Sequence, residues 1–146
     1  MITIRPIKYA DAPALDSTEY GSMSAEERHR MISESLEKTH NGRYFELFTV
    51  CVESTIVGFM NAYAHSEHII SIGPEIMSKF KRLGYAYEAE SMVLELMKEK
   101  GYLVATGAVK QDNVASHALH RKLGFEVDVV YTNKQGKQIT LYIKAL

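Results

Sequence analysis

The chain has 146 residues, 46% of them apolar and 24% charged, which fits a single domain spanning 1–146 with a sizeable core. Its 17 basic and 18 acidic residues leave a net charge of −1, so a dedicated nucleic-acid binder is excluded and only a local basic patch remains open. One cysteine, Cys51, rules out an intrachain disulfide. No apolar run is long enough for a membrane span, and the opening MITIRPIKYAD lacks the apolar stretch of a secretory signal. A cytoplasmic monomer or homodimer is therefore expected.

In chain order, Thr3 to Ile7 read as a short strand, and DAPALDSTEY opens a helix at Asp11 with Pro13 in its first turn. In SAEERHRMISESLEKTHNG, Ser24 caps a second helix and Glu27, three residues on, completes a capping box. Met31, Ile32 and Leu36 form its apolar side, and Asn41-Gly42 ends it. YFELFTVCVE and STIVGFMNAYA are β-branched and aromatic and pair as a hairpin, with Cys51 a small buried hydrophobe in mid-strand. HIISIGPEIM is a third strand of this run. Its Gly73-Pro74 step disturbs regular pairing, as a bulge or a splayed end, because proline has no N–H to give a ladder.

FKRLGYAYEAESMVLELM follows. Ala86, Ala89, Val93 and Leu96 recur at helical spacing, and Gly101 stops the helix. YLVATGAV is a continuous apolar run and reads as a buried strand. NVASHALHRKLG is a helix with Asn113 near its cap and Gly124 past its end. FEVDVVYT and QITLYIKAL close the chain as a hairpin around NKQGK. A strand-helix-strand unit inside a mostly antiparallel run gives a mixed α/β (α+β) sheet of six to seven strands with four helices on its faces.

Two segments carry chemistry. Lys79, Lys81 and Arg82 precede Gly84 at the mouth of a helix. The first turn of a helix leaves backbone N–H groups without partners and concentrates the positive end of the dipole. With Gly84 and Ala86 small, a phosphate would approach the backbone closely. The competing account is a basic strand-to-helix turn with solvated lysines. On the last helix, Asn113, Ser116, His117 and His120 share a polar stripe, while Ala115, Ala118, Leu119 and Leu123 form an apolar, core-seeking face. Amide, hydroxyl and imidazole groups suit an amide-rich ligand, although a stripe chosen for capping and solubility has the same composition. The spacings His65-x-x-His68 and His117-x-x-His120 allow a metal site, although isolated pairs of this spacing are common by chance.

KRLGYA, Lys81 to Ala86, resembles the acetyl-CoA pyrophosphate loop of the GNAT acetyltransferases. NVASHALHRKLGFE resembles the same family's later motif, and ITIRPIKYADAPAL its opening strand and helix. IGPEI and GYAYEA look closest to the ribosomal-protein N-terminal acetyltransferase branch. The resemblance covers the whole chain and implies an acyl-CoA-dependent N-acetyltransferase with a GNAT-like fold. Acetyl-CoA would be the cosubstrate and a primary amine of a small molecule or peptide the acceptor, with no nucleic-acid or membrane partner and no metal. Backbone groups of Ile76, Met77 and Ser78 would hold the pantetheine arm. Lys81, Arg82, Leu83, Gly84, Tyr85 and Ala86 would hold the pyrophosphate, and Asn113 and Ser116 would bond or flank the pantetheine.

Two positions depart from the family pattern. Lys81 stands where Gln or Arg is usual, and His120 stands where the family usually has the tyrosine assigned to protonate the departing thiolate. His120 is therefore the candidate acid or thiolate partner, with simple packing as its alternative. Glu75 is the nearest carboxylate to the splayed strand end and the candidate base, with His65, Glu67 and His68 as alternatives. Tyr20 and Tyr131 are candidate acceptor-pocket residues; ordinary packing would also account for them. The change at His120 also supports a different class of reading, a non-catalytic acyl-CoA sensor or partner protein.

Overall fold

The structure, a computed structural model, describes residues 1–146. One seven-stranded sheet runs in the order β1-β2-β3-β4-β5-β7-β6. Its strands are β1 (Ile2–Pro6), β2 (Phe45–Val52), β3 (Thr55–Ala64), β4 (Ile69–Ile76), β5 (Val104–Lys110), β6 (Glu126–Thr132) and β7 (Gln138–Ala145). The α-helices are α1 (Ala25–Glu37), α2 (Tyr85–Glu99) and α3 (Val114–Lys122). Only β4 and β5, joined through α2, are parallel. No helix is long and apolar enough to cross a membrane.

Alternation along the strands builds two cores. On one face, Met60, Ala62, Ile70 and Ile72 pack under Ala89, Val93 and Met97 of α2. On the other, Leu47 and Phe59 pack with Ile7, Leu15 and Ile32. The apolar spacing of α2 is therefore the spacing of a core face, although Leu94 and Met97 are buried where Ala86 and Leu96 are only half-buried.

Three local expectations are corrected. The first helix is a 3-10 segment, Tyr9–Ser17, followed by a short 3-10 turn at Glu19–Ser22. Pro13 has no N–H for an α-type bond back to Tyr9, and the Asp11 carboxylate ties the segment to Arg5, the Lys8 N–H and Thr49 instead. Helix α1 ends at Glu37, with Lys38 in the left-handed conformation at φ 58°, four residues before Gly42. Its Leu36 is 45% exposed, and Ser35 takes the buried place because its hydroxyl bonds the Leu47 N–H (2.7 Å) and C=O. The capping box of Ser24 and Glu27 forms as read, and Cys51 is buried and free.

The Gly73-Pro74 step does not interrupt the β3–β4 ladder, which is continuous from Ala64↔Ile70 to Gly58↔Ile76. The loss is on the other side. β4 pairs with β5 only over Ile69–Ser71 against Val104–Thr106, and beyond Ser71 the two strands separate. The Met77 N–H bonds Val57 C=O at 2.9 Å. By alternation the backbone groups of Glu75 also face β3, and those of Pro74 and Ile76 face the gap. Proline thus sits where its missing N–H leaves no ladder bond unmade.

Inside α2, Glu90 is fully buried and neither of its carboxylate oxygens has a partner. Burial pushes its pKa up to about 8. The acid is neutral in the folded protein at neutral pH, whereas the unfolded chain ionises near 4.5. Stability must therefore fall as pH rises from about 4.5 to about 8 and level off above that. Glu90→Met, similar in length and apolar, is expected to remove this slope and to gain about 4 kcal/mol over the native chain at pH 9 relative to pH 4. Urea unfolding at pH 4, 7 and 9 checks it, and parallel pH dependences in the two proteins would contradict it.

Candidate active site

The gap between β4 and β5 opens into a groove of about 540 Å³. One wall is the end of β4, at Pro74, Glu75 and Ile76. The other is α3, at Asn113, Ser116, Leu119 and Lys122, and the mouth is the loop from Phe80 to Gly84 with the first turn of α2. Each part follows from local sequence. Gly84 takes φ 83° and caps α2 without any side-chain bond, unlike Ser24 on α1 and Asn113 on α3, which both accept from their own helices. The first-turn N–H groups of α2 are left for an outside acceptor. Arg82 also takes a left-handed conformation, at φ 65°, which costs an L-residue about 1 kcal/mol or more. Two left-handed residues flanking Leu83 turn the backbone sharply into the helix start, the type of concave amide surface that receives anions. Lys81, Arg82 and Lys122 line the groove with it, and Lys122 is held over the Tyr87 ring at 4.3 Å.

The polar stripe of α3 divides. Asn113 and Ser116 face the groove. The Asn113 Oδ1 accepts the Ser116 N–H at 3.1 Å, which leaves its amide N–H₂ free to donate. His117 and His120 turn to the sheet instead. His117 accepts from the Tyr142 hydroxyl at Nδ1 (2.6 Å) and donates from Nε2 to the Lys110 carbonyl (3.1 Å). His120 is 3% exposed, stacked on Tyr142 with ring centroids 5.0 Å apart and edge-on to Phe125. Its Nδ1 donates to the Ser116 carbonyl at 2.7 Å, and its Nε2 has no partner. Burial lowers its pKa against the opposing effect of that carbonyl, so it is neutral and its remaining nitrogen carries a lone pair, not a proton. The face read as core-seeking is split the other way: Ala115, Ala118 and Leu119 line the groove, and only Leu123 is buried. The reason lies beneath α3. Gly107 of β5 leaves a flat space against Tyr142 that an imidazole fills, so the histidines gain ring contacts and bonds there.

Glu75 is at the groove wall, and its Oε1 accepts the Glu19 N–H at 3.1 Å. Tyr20 lies on the same face of the sheet, where its hydroxyl accepts from the Asn61 amide at 3.1 Å. Burial pushes that phenol up to about 12, so it stays protonated. Burial and the Glu75 carboxylate push Glu19 upward as well, with Lys110 acting the other way. Glu75 and Tyr20 are thus brought together, joined by Glu19 and Asn61, which the sequence reading missed. Nothing in their composition marks them; only the β3–β4 register, Asn61 opposite Gly73, places Asn61 there.

Other expected residues lie apart. Met77 gives its N–H to Val57 and is 8% exposed, so it offers the groove nothing. Ser78 and Leu83 are exposed and do not line the cavity, whereas Ile76, Lys81, Arg82, Gly84, Tyr85 and Ala86 do. Tyr131 is 42% exposed on the edge strand β6, three strands from β4. His65, Glu67 and His68 are exposed on the β3–β4 turn, at the opposite end of β4 from Glu75. The two histidine pairs do not converge, and no three His, Cys, Asp or Glu side chains are grouped to hold a metal. Lys122 and Tyr87 were missed as groove residues. Their signal was the basic residue in HRKLG and its reach to the turn above.

The fold is shared with solved acetyltransferases. A ribosomal-protein-alanine N-acetyltransferase from Brucella melitensis is 20% identical over 99% of both chains, with a TM-score of 0.84. The Salmonella typhimurium enzyme that modifies the N-terminal serine of ribosomal protein L7/L12 is 15% identical, over 99% of this chain and 95% of that one, at 0.82. A ribosomal L7/L12 α-N-protein acetyltransferase in complex with coenzyme A is 14% identical, over 99% and 94%, at 0.85. No curated protein matches the chain in sequence. Residues 2–126 match the acetyltransferase (GNAT) domain, and over that span, which carries the splayed strands, the uncapped helix and the groove between them, the chain belongs to the GNAT acetyltransferase family.

Proposed function

We propose that the protein transfers an acetyl group from acetyl-CoA to a primary amine of a small molecule or peptide, by direct attack of the amine on the bound thioester. The observation that carries this is the continuity of the groove: it joins the uncapped start of α2 to the unpaired edge of β4 at Ile76 and Pro74. A pyrophosphate fits the first and an extended chain of amides the second. The Ile76 backbone and the Pro74 carbonyl are left to pair with the pantetheine arm as a missing β5 residue would, and the Asn113 amide donates to it from the opposite wall. Acetyl-CoA supplies an activated acyl group with a good leaving thiol. The named neighbours that act on ribosomal-protein N-termini favour an α-amine acceptor.

Glu75 is the base. It lies on the groove wall, oriented by the Glu19 N–H, with the Tyr20 and Asn61 polar groups beside it. The hydroxyl offered to the departing sulfur on α3 is that of Ser116, since the His120 Nδ1 proton is committed to the Ser116 carbonyl. A thiol with pKa near 8.5 needs only modest help to leave at neutral pH. The second reading, an acyl-CoA sensor without turnover, is favoured by that same buried, proton-committed His120.

Thermal unfolding with acetyl-CoA or desulfo-CoA at about 100 times the dissociation constant is expected to gain about 2.7 kcal/mol, a rise of several degrees, with no rise from zinc. No rise with either compound would remove the groove assignment. Free-thiol release over polyamines, aminoglycosides, amino acids and peptides then separates the enzyme from the sensor, which binds and never turns over. With the best acceptor, Glu75→Gln is expected to lose at least about tenfold in kcat at pH 7 and to recover as pH approaches the acceptor pKa, where the amine loses its proton unaided. A loss independent of pH would assign Glu75 to binding. Ser116→Ala is expected to cost about three- to tenfold in kcat at pH 7, and less at pH 9, where the thiolate leaves more easily.

A further inference from the structure

The groove stops at a definite place. The β4–β5 ladder closes at Ser71↔Thr106, and the deepest β4 residue lining the cavity is Pro74. Just outside the ladder each strand carries a glycine, Gly73 on β4 and Gly107 on β5, and each lies under one polar side chain. A β-carbon on Gly73 would stand 3.3 Å from the Asn61 amide nitrogen, and one on Gly107 would collide with His120 Nε2. The two side chains come from opposite faces, Asn61 from β3 on the Glu75 side and His120 from α3. Both are held. Asn61 donates to Tyr20, whose ring packs against the core of Ile7, Leu15 and Phe59. His120 is fixed by its ring stack on Tyr142 and its bond to Ser116.

We propose that this closed end sets the acyl length: Asn61, positioned by Tyr20 over Gly73, is the gate, and His120 over Gly107 is the opposing wall. The inference rests on the thioester lying in the groove as set out above. A pantetheine arm that runs along Ile76 and Pro74 brings its acyl carbon to the last open space before the ladder. A two-carbon acyl group ends there. A longer chain that keeps the line of the strands enters the space over Gly73 or Gly107, and both spaces are filled by side chains that cannot turn away without leaving a hydrogen bond or a ring stack. Closed pockets of this type discriminate by roughly 10- to 200-fold per methylene.

The test is isothermal titration of the full chain with CoA, acetyl-CoA and butyryl-CoA. The native protein is expected to bind acetyl-CoA about as tightly as CoA, and butyryl-CoA at least about tenfold more weakly. Asn61→Ala is expected to recover most of that loss while leaving CoA affinity unchanged. Tyr20→Phe, which removes the acceptor of the Asn61 bond, is expected to recover part of it. Asn61→Asp keeps the volume and should keep the penalty; both acyl-CoAs carry the same charge, so the ratio between them is insensitive to the added carboxylate. Equal affinity of the native protein for acetyl- and butyryl-CoA would overturn the proposal, and so would a butyryl penalty that Asn61→Ala leaves intact. Failure to bind CoA itself would instead refute the groove assignment on which it rests.

Discussion

The site depends on one missing set of hydrogen bonds. β4 and β5 share a ladder at only three positions and then part, although both continue as strands on their outer sides. An unpaired strand edge inside a sheet is costly unless something else satisfies its N–H and C=O groups. The protein lowers that cost at Pro74, which has no N–H to lose, and leaves the Ile76 groups as the part a ligand would complete. β3 on one side and β7 on the other hold the two strands by continuous ladders where they no longer pair with each other. Everything that lines the groove is placed by that separation, because α2 leaves from β4 on one bank and α3 leaves from β5 on the other.

The mouth of the groove shows a second arrangement of the same type. Arg82 in the left-handed region and Gly84 capping α2 with no side chain are each unfavourable for the free chain. Together they turn backbone amides toward one place and leave them without partners. Strain and missing caps that coincide at the start of a 15-residue helix, beside three basic side chains, are readily explained by an anion that supplies the missing acceptors. The buried Glu90 further along α2 has no such explanation: its carboxylate oxygens have no partner, and it is a cost that grows as pH rises toward 8.

Much of this was legible in the sequence. The order of strands and helices follows from apolar period and turn residues, and Gly73-Pro74 marked the splay because proline chemistry is local. The uncapped, basic start of α2 was legible for the same reason: Gly84, Ala86 and the basic residues are contiguous. The split of α3 was not. Asn113, Ser116, His117 and His120 fall within one polar stripe by spacing, but which of them face the groove depends on Gly107 and Tyr142, which lie on other strands. Asn61 and Glu19 were invisible for a related reason, since each acquires a role only through register or a backbone bond to Glu75. Ser35 and Leu36 exchanged places because a hydroxyl bonded to the end of β2 outweighed burial of a leucine.

The substitution of histidine for the family's tyrosine bears on which proton transfer matters. A lysine-type amine is neutral about one time in a thousand at pH 7, a deficit of roughly 4–5 kcal/mol, and an α-amine loses about 1 kcal/mol. A thiol leaving group with pKa near 8.5 costs about 2 kcal/mol at most to expel unprotonated at pH 7. For a lysine-type acceptor the base would have the larger task, and the carboxylate proposed for it, Glu75, is bonded to the Glu19 N–H at the groove wall. For the α-amine acceptor proposed above, both tasks are small, about 1 kcal/mol for the base and about 2 kcal/mol for the acid, a demand that the proposed Ser116 hydroxyl would have to meet. The ring at position 120 serves packing instead: it lies flat on Tyr142 and covers Gly107, and its Nδ1 bonds the Ser116 carbonyl one turn back along α3.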